Sequence, residues 1–453
     1  MDLSNSRVLV LGLGISGRSA VKALHRLNAQ IVISDTKSED ELAGFFKEIS
    51  GIYVEKYLNT DNVPLENIDL IIKSPGIPPT NPIVVEARRR NIEVITDIEL
   101  AYRISPTEKI ISITGTNGKT TTTALIGEIF KRAKYNTYVT GNIGVGILEK
   151  MIDAKKDDVF VIETSSFQLE DTVYFKPKVS LITNITPDHL DWHGSFENYV
   201  NAKKKIFKNQ DENDYTVLNF EDSIIRNFQD EINSNIIWFS SENVLNKGVF
   251  VSEDYIVIKD ENYYEKVIPY KELKILGKHN LENALASVAV AFAMGVNLDY
   301  VREALREFPG VEHRIEFVKE INGIKFYNDS KGTNPDSTIK AIEALDGSII
   351  LIAGGYDKGS QFNELIESFK GKVKELILMG ETKEKIKDAA LHHNFTNIHL
   401  VENMKEAVTL AYKLAKEKDN VLLSPACASW DMYKNYEERG KDFKKVVFEI
   451  EVK

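Results

Sequence analysis

Residues 110–123, reading I-I-S-I-T-G-T-N-G-K-T-T-T-T, constrain this chain more than any other stretch. The β-branched run reads as a strand and the two glycines as a tight turn. Lys119 and the threonines after it read as the opening of a helix. A glycine turn leading into a helix N-terminus cradles anions, because first-turn N–H groups and the helix dipole both favour negative charge. Lys119 adds a point charge, and Thr120 stands where a hydroxyl reaches a divalent cation. Ile113, not Gly, lies five positions before Gly118, so the loop is shorter than the standard phosphate loop and starts at Gly115. A nucleoside-triphosphate site in an α/β fold is expected.

A chain of 453 residues outgrows one core, and three domains are expected, spanning 1–97, 98–309 and 310–453. With 43% hydrophobic and 28% charged residues the composition is that of a globular protein. The net charge of -11 argues against a nucleic-acid partner, which would call for a basic surface. Cys427 is the single cysteine, so no intrachain disulfide forms. No apolar run approaches the roughly 20 residues of a membrane span. The opening M-D-L-S-N-S-R lacks the features of a signal peptide, and a cytoplasmic location is expected.

The first block reads as strand, glycine turn, helix and strand. Residues 7–13 are apolar and run into Gly12, Gly14 and Gly17, and a second apolar run, 31–34, ends at Asp35. That order is the signature of a Rossmann-like nucleotide site, for a dinucleotide or for any nucleotide diphosphate. Asp35 can accept hydrogen bonds from a ribose or a base. Residues 68–78 form a further strand ending in the rigid loop S-P-G-I-P.

The second block carries chemistry at its strand ends. One apolar run finishes in Glu163, within E-T-S-S-F-Q-L-E, and another in N-I-T-P-D-H-L-D, with Asn184, Asp188, His189 and Asp191. Alternation with helical segments predicts a mostly parallel, doubly wound sheet whose strand C-termini converge on the phosphate loop. Glu163 and His189 are candidates for holding Mg²⁺ and orienting a triphosphate, although a hard cation prefers oxygen ligands to imidazole. The run K-K-K-I-F-K at 203–208 reads largely as a solvated helix face, and 215–264 as a small β-rich insertion. G-K-H-N-L-E-N-A-L-A predicts a helix with Asn280 and Asn283 on one face.

In the third block, four strand ends present Lys, Asp, Ser or Thr: Y-N-D-S-K-G-T, I-A-G-G-Y-D-K-G, L-I-L-M-G and S-P-A-C-A-S-W-D. Arg314, Lys331, Thr333, Lys358 and Ser429 supply cations and hydroxyls suited to a dicarboxylate or a phosphate. No base flanks Cys427, which reads as a small core residue.

Taken in order, G-T-N-G-K-T-T-T, E-T-S-S-F-Q-L-E, N-I-T-P-D-H-L-D, G-K-H-N-L-E-N-A, H-R-I-E, N-D-S-K-G-T-N, G-G-Y-D-K-G and S-P-A-C-A-S-W-D-M-Y-K-N-Y-E-E-R-G resemble the ATP-dependent Mur ligases of bacterial peptidoglycan synthesis. The resemblance spans nearly the whole chain. It implies a Rossmann-like N-terminal domain, a central P-loop-type ATPase domain and a C-terminal Rossmann-like domain. Through S-S-F-Q-L-E, the S-P-G-I-P loop, the terminal S-P-A-C-A-S-W-D and the absence of D-N-P-R, the resemblance implies addition of D-glutamate to UDP-N-acetylmuramoyl-L-alanine.

The resemblance also implies residue roles. Ser16, Asp35, Thr36, Ser74, Pro75 and Gly76, with Asn142, Gly144, Ser165 and Gln168, would bind the UDP-sugar. Gly115, Thr116, Asn117, Gly118, Lys119, Thr120 and Thr121 would hold the phosphates of ATP. Asn280, Asn283, His313, Arg314 and Asp329 would surround its adenine, ribose and γ-phosphate. Thr120, Glu163, His189 and a carbamylated Lys203 would hold Mg²⁺, with Lys119, His189, Lys203 and Arg314 catalytic. Lys331, Thr333, Lys358, Ser429, Trp430 and Tyr436 would form the D-glutamate pocket. Trp430, Tyr436 and Gly332 depart from the residues common at these family positions. The substrates would be small molecules, and a monomer is expected.

Rival readings are another amide ligase of the superfamily, such as a folylpolyglutamate synthase, an NAD-dependent oxidoreductase using Gly12–Gly17, and a non-catalytic nucleotide switch. The first lacks a Rossmann unit in its N-terminal block. The second leaves Lys119, Glu163 and the third block's cations unexplained.

Overall fold

The computed structural model describes residues 2–60, 62–143 and 146–450. Three sheets organise them. The first holds β1 (Arg7–Leu11), β2 (Gln30–Asp35), β3 (Glu55–Leu58), β4 (Leu70–Lys73) and β5 (Glu93–Ile95), in the order β3-β2-β1-β4-β5. Every pairing in it is parallel, which is the Rossmann-like winding expected from the glycine signature.

The second sheet runs β6 (Ile110–Thr114), β7 (Thr137–Gly141), β8 (Val159–Glu163), β9 (Val179–Ile182), β10 (Tyr215–Asn219), β11 (Asn235–Ser240), β12 (Gly248–Ser252), β13 (Tyr255–Asp260) and β14 (Tyr263–Pro269). Their spatial order is β14-β13-β12-β11-β10-β9-β6-β8-β7. β6 and β8 are buried along their whole length, as a parallel strand covered on both faces must be. The β-rich stretch expected at 215–264 is present, and its strands continue this same sheet, with β12, β13 and β14 antiparallel at the edge.

The third sheet comprises β15 (Glu316–Ile321), β16 (Ile324–Asn328), β17 (Ile349–Ala353), β18 (Val373–Leu378), β19 (Ile398–Leu400) and β20 (Asn420–Leu423), in the order β15-β16-β20-β17-β18-β19. Only β15 pairs antiparallel. Apolar clusters cover both faces, one around Leu351, Leu376 and Phe369, the other around Phe326, Ile352 and Phe443.

The described chain divides into two compact units, residues 1–272 with 282–306, and residues 273–281 with 307–453. The first two sheets lie together because they share one core: Val8, Ile33 and Leu24 belong to the same apolar cluster as Ile98, Ile147 and Phe160.

The glycines after β1 have separate physical duties. Gly12 has φ +85°, and a Cβ there would meet Ser74 at 2.9 Å. A Cβ on Gly17 would stand 2.1 Å from the Gly12 carbonyl oxygen, so the helix Ile15–Arg26 approaches the turn only because that atom is missing. Gly14 has nothing within 4 Å and an ordinary φ of -69°. Gly17→Ala should therefore lower unfolding free energy by about 1–3 kcal/mol, the range for overpacking. Gly14→Ala should stay within about 0.5 kcal/mol. Urea denaturation of the two variants checks this, and equal midpoints would refute it.

Candidate functional site

The phosphate loop leaves β6 at the sheet centre, between β8 and β9. Gly115 has φ +145°, and a Cβ there would lie 2.0 Å from Thr183 Oγ1. Gly118 sits in the left-handed region at φ +83°, where a Cβ would lie 2.4 Å from Asn283 Oδ1. Only glycine fits either position. The helix Lys119–Arg132 follows at once, and its first turn carries N–H groups that an α-helix leaves to partners outside itself.

The loop is fastened from the β9 end. Thr183 Oγ1 donates to the Asn117 carbonyl (2.6 Å), and Asn184 receives the N–H groups of Thr116 (2.9 Å, at its carbonyl) and Asn117 (2.9 Å, at Oδ1). Those two N–H groups therefore shape the loop rather than face an anion. Asn283 accepts from Thr122 Oγ1 at 3.1 Å, which brings that predicted nucleotide residue against the loop.

Two lysines converge on one carbonyl. Lys119 Nζ donates to the oxygens of Gly115 (2.9 Å) and Thr116 (2.8 Å), and Lys203 Nζ donates to the same Gly115 oxygen at 2.8 Å. Lys203 is 2% exposed and lies over the Tyr199 ring. Burial, and then the charge of Lys119, push its pKa well below the ordinary lysine value. Its neighbour Lys204 turns the other way, to Glu231 and the face of Phe228. Lys205 pairs with Glu170, but the helix ends at Lys204, and Ile206 and Phe207 are buried, so the expected solvated helix face is confined to partly exposed side chains in a turn.

Glu163 ends β8 and is 3% exposed. Its Oε1 accepts from Asn142 Nδ2 at 3.2 Å, while its Oε2 is buried with no hydrogen-bond partner. An orphaned carboxylate oxygen at this depth fits a cation ligand. Asn142, predicted as a sugar-nucleotide contact, thus also belongs to the surroundings of this acid; Gly144 lies outside the described residues. His189 is half exposed, in the left-handed region at φ +52°, with its ring against Phe167 and Nε2 3.5 Å from Asp188.

Among the predicted sugar-nucleotide residues, Ser74 Oγ donates to the Gly12 carbonyl, and Asp35 accepts from the N–H groups of Leu13 (2.7 Å) and Lys37 (3.0 Å). Each Asp35 oxygen retains a lone pair for a hydroxyl donor. Thr36, Pro75 and Gly76 flank these positions at the surface or partly buried. Ser16 Oγ donates to Asp97, which also accepts from Gln168 Nε2, and Gln168 closes a capping box with Ser165. Burial raises the Asp97 pKa.

Sequence reasoning missed several residues. Lys73 is fully buried, ion-paired to Asp171 at 2.9 Å and hydrogen-bonded to the Ile77 carbonyl, so it pins the S-P-G-I-P loop from beneath. Trp192 Nε1 holds the same loop at the Gly76 carbonyl. His193 is buried among Phe167, Trp192 and Tyr199, with Nε2 2.9 Å from Ser166 Oγ. The repeated His in H-L-D-W-H was the available signal; its spacing did not say which imidazole points inward.

In the second unit, Asp329 ends the β16 loop and is 2% exposed. It accepts from Ser424 Oγ (2.7 Å) and the Ile315 N–H (3.2 Å), and burial raises its pKa to about 6 against the pull of Arg314. Arg314 Nε is buried without a hydrogen-bond partner among the described residues. His313 is buried at φ +66° and meets Asn328 through Nδ1. Asn280 donates to the Leu276 carbonyl.

The predicted dicarboxylate residues fall into pairs. Lys331 Nζ lies 5.6 Å from the Tyr436 ring centroid, and Lys358 Nζ lies 5.5 Å from that of Trp430, which is 63% exposed beside buried Ser429. Thr333 is partly buried two residues beyond Lys331. A Cβ on Gly332 would stand 2.5 Å from Asp329 Oδ2, which fits glycine there. Cys427 is a core residue, its thiol pushed up to about 11 by burial.

Three family descriptions match the chain: "Mur ligase MurD-like, N-terminal domain" over residues 6–96, "Mur ligase middle domain" over 113–291 and "Mur ligase, glutamate ligase domain" over 313–427. The UDP-N-acetylmuramoylalanine–D-glutamate ligase of Thermoanaerobacter sp. (strain X514) is 49% identical, over 99% of this chain and 100% of its own. The ligase of the same name from Alkaliphilus metalliredigens is also 49% identical, over 99% of both chains. In structure, the UDP-N-acetylmuramate–alanine ligase of Thermotoga maritima superposes with a TM-score of 0.61 at 21% identity, covering 98% of this chain and 99% of its own, a likeness of fold.

His193 makes this region pH-sensitive. Burial, then the charge of Lys203, lower its pKa from 6.5 to about 4. Between those values only the unfolded chain holds the proton, so stability is complete above 6.5 and is lost as the pH falls toward 4. His193→Gln should remove on the order of 2 kcal/mol of this acid sensitivity. Urea midpoints of wild type and variant between pH 7 and 4 measure it; parallel curves would exclude a buried neutral imidazole.

Proposed function

This chain belongs to the Mur ligase family, and from that premise we propose that it joins D-glutamate to UDP-N-acetylmuramoyl-L-alanine, cleaving ATP to ADP and phosphate. It is an ATP-dependent, amide-forming ligase of peptidoglycan synthesis. The observation that carries the chemistry is the group at the end of β6: Lys119 and Lys203 on the Gly115 oxygen, beside the buried open oxygen of Glu163.

The terminal carboxylate of the sugar-nucleotide substrate attacks the γ-phosphorus, the bond to the β-phosphate oxygen breaks, and an acyl phosphate and ADP result. Two anions approach each other in that step, so cations must be in place beforehand. Lys119 supplies one, held at the loop by two carbonyls that a phosphate would replace or join. Arg314, its Nε open, is assigned the γ-phosphate. The amine of D-glutamate then attacks the acyl carbon, its proton passes to Asp188, or to His189 where that imidazole is free of metal, and the tetrahedral intermediate expels phosphate. Lys331, Thr333, Lys358, Ser429, Trp430 and Tyr436 are assigned to the two carboxylates and the backbone of that amino acid.

Thr120, Glu163, His189 and modified Lys203 would hold Mg²⁺, which when bound neutralises charge on the phosphates. Burial lowers the Lys203 pKa and so favours the unprotonated amine, the form that adds to CO₂ to give a carbamate and release a proton. The carbamate would place an anion beside Lys119, where a protonated Lys203 would repel it. Ser16, Asp35, Thr36 and the Ser74–Gly76 turn are assigned to the uridine, Asn142, Ser165 and Gln168 to the sugar and diphosphate. The proposed domains are 1–97, 98–309 and 310–453. The protein is proposed to act as a cytoplasmic monomer on small molecules; no described helix is long and apolar enough to cross a membrane.

ADP release with UDP-N-acetylmuramoyl-L-alanine, compared across D-glutamate, L-glutamate, L-lysine and diaminopimelate, tests the reading; turnover with any but D-glutamate as the best substrate would overturn it. Lys119→Ala should lower kcat by about 10²–10³, the effect of losing one charge-stabilising donor. For Lys203, ¹³C NMR after equilibration with labelled bicarbonate should show a carbamate carbon that Lys203→Ala lacks, and a wild-type spectrum without it removes the modification from the account.

A further inference from the structure

Arg439 is 1% exposed, the largest side chain so deeply buried among the described residues. Its guanidinium donates from Nε to Ser330 Oγ (3.0 Å), from Nη2 to the carbonyls of Ser330 (2.9 Å) and Cys427 (3.1 Å), and from Nη1 to the carbonyl of Ala428 (3.1 Å). Every acceptor is neutral, and among the described residues no carboxylate forms an ion pair with it. Burial lowers its pKa to about 10. The carboxylates of Asp431 and Asp329 act on it only from beyond ion-pair distance, and a buried cation without a direct ion pair is costly, so a chain that keeps one gains something in exchange.

The acceptors show what is gained. Ser330 immediately precedes Lys331, and Cys427 and Ala428 immediately precede Ser429 and Trp430. Ser330 Oγ in turn donates to the carbonyl of Tyr436 at 2.8 Å, the first residue of the helix Tyr436–Phe448 that carries Arg439 itself. The Tyr356 N–H donates to the Ala428 carbonyl at 2.9 Å, which ties in the turn bearing Lys358. A Cβ on Gly355 would stand 2.2 Å from the Ala428 oxygen and 3.1 Å from Arg439 Nη1, so that turn closes against the guanidinium only because it is glycine. One fork thus joins the four segments that hold all the residues assigned to the amino-acid pocket.

We propose that Arg439 is the positioning residue of the amino-acid pocket, fixing the spacing of the Lys331 and Ser429 segments. The inference rests on the reading of this pocket as the D-glutamate pocket. Lysine cannot replace it, because an ammonium has three donors on one atom and no planar fork to span two loops.

The test uses full-length Arg439→Lys and, as a milder probe, Ser330→Ala, which deletes the Nε acceptor and the link to Tyr436. Steady-state constants are measured for all three substrates. The first half-reaction is followed separately, by borohydride trapping of the acyl phosphate with ATP and UDP-N-acetylmuramoyl-L-alanine alone. Arg439→Lys should raise the KM for D-glutamate about tenfold or more, the loss of one well-placed charged contact. The KM values for ATP and the sugar nucleotide, and acyl-phosphate formation, should stay within about twofold. Ser330→Ala should move the D-glutamate KM the same way by a smaller factor, and it decides the matter alone if the lysine variant does not fold. An unchanged D-glutamate KM in the folded variants, or a parallel loss of acyl-phosphate formation, overturns the proposal. Wild-type protein that rejects D-glutamate would sink the ligase reading instead, and the same comparison on the amino acid it accepts would still judge Arg439.

Discussion

The carbonyl of Gly115 is the point on which the first unit's site turns. It accepts from two lysine nitrogens at once, in a place where one of them is almost wholly withdrawn from water. Such a meeting requires a backbone oxygen that is accessible from two sides. The loop can pack this closely against β9 because Gly115 lacks the Cβ that would otherwise collide with Thr183. The position of β6 between β8 and β9 then places Glu163 on one flank of the loop and the Thr183–Asn184 fastening on the other. Like charges held this close favour a neutral amine, a bound anion or a carbamate between them. The same close packing that builds the loop thus prepares its lysines for chemistry.

A second constraint joins the first two sheets into one body. They share an apolar cluster, and two buried polar chains cross between them. One runs from Ser16 through Asp97 and Gln168 to Ser165; the other runs from the S-P-G-I-P loop through Lys73 to Asp171 and Arg88. Breaking one partner of a buried pair of this kind costs several kcal/mol, typically ~3–5, because the other charge stays buried. The proposed sugar-nucleotide loops are therefore held to the phosphate loop by groups that tolerate little displacement.

Much of this was legible in order and spacing. Gly12 and Gly17 marked a Rossmann-like turn, and the structure places a serine and a carbonyl where their side chains would be. Strand-end residues such as Glu163 were legible because parallel sheets expose their C-terminal edges. Arg439 was not. Within E-E-R-G it reads as one more charge on a solvated helix, since nothing local says that its guanidinium meets carbonyls 11 and 109 residues away. Lys73 and Asp171, 98 positions apart and separated by a whole strand-helix series, were hidden for the same reason.

The sequence by itself determined which local shapes were possible: a glycine turn before a lysine, apolar runs of strand length, polar residues at their ends, and a series of motifs sufficient to name the family. Those are properties of neighbouring residues, set by backbone sterics and by side-chain polarity. Only the tertiary structure decided that Lys203 rather than Lys204 turns inward, that Glu163 keeps an oxygen open, and that a buried guanidinium spans two loops. Burial and long-range hydrogen bonding settle such choices, and both exist only once distant segments have packed.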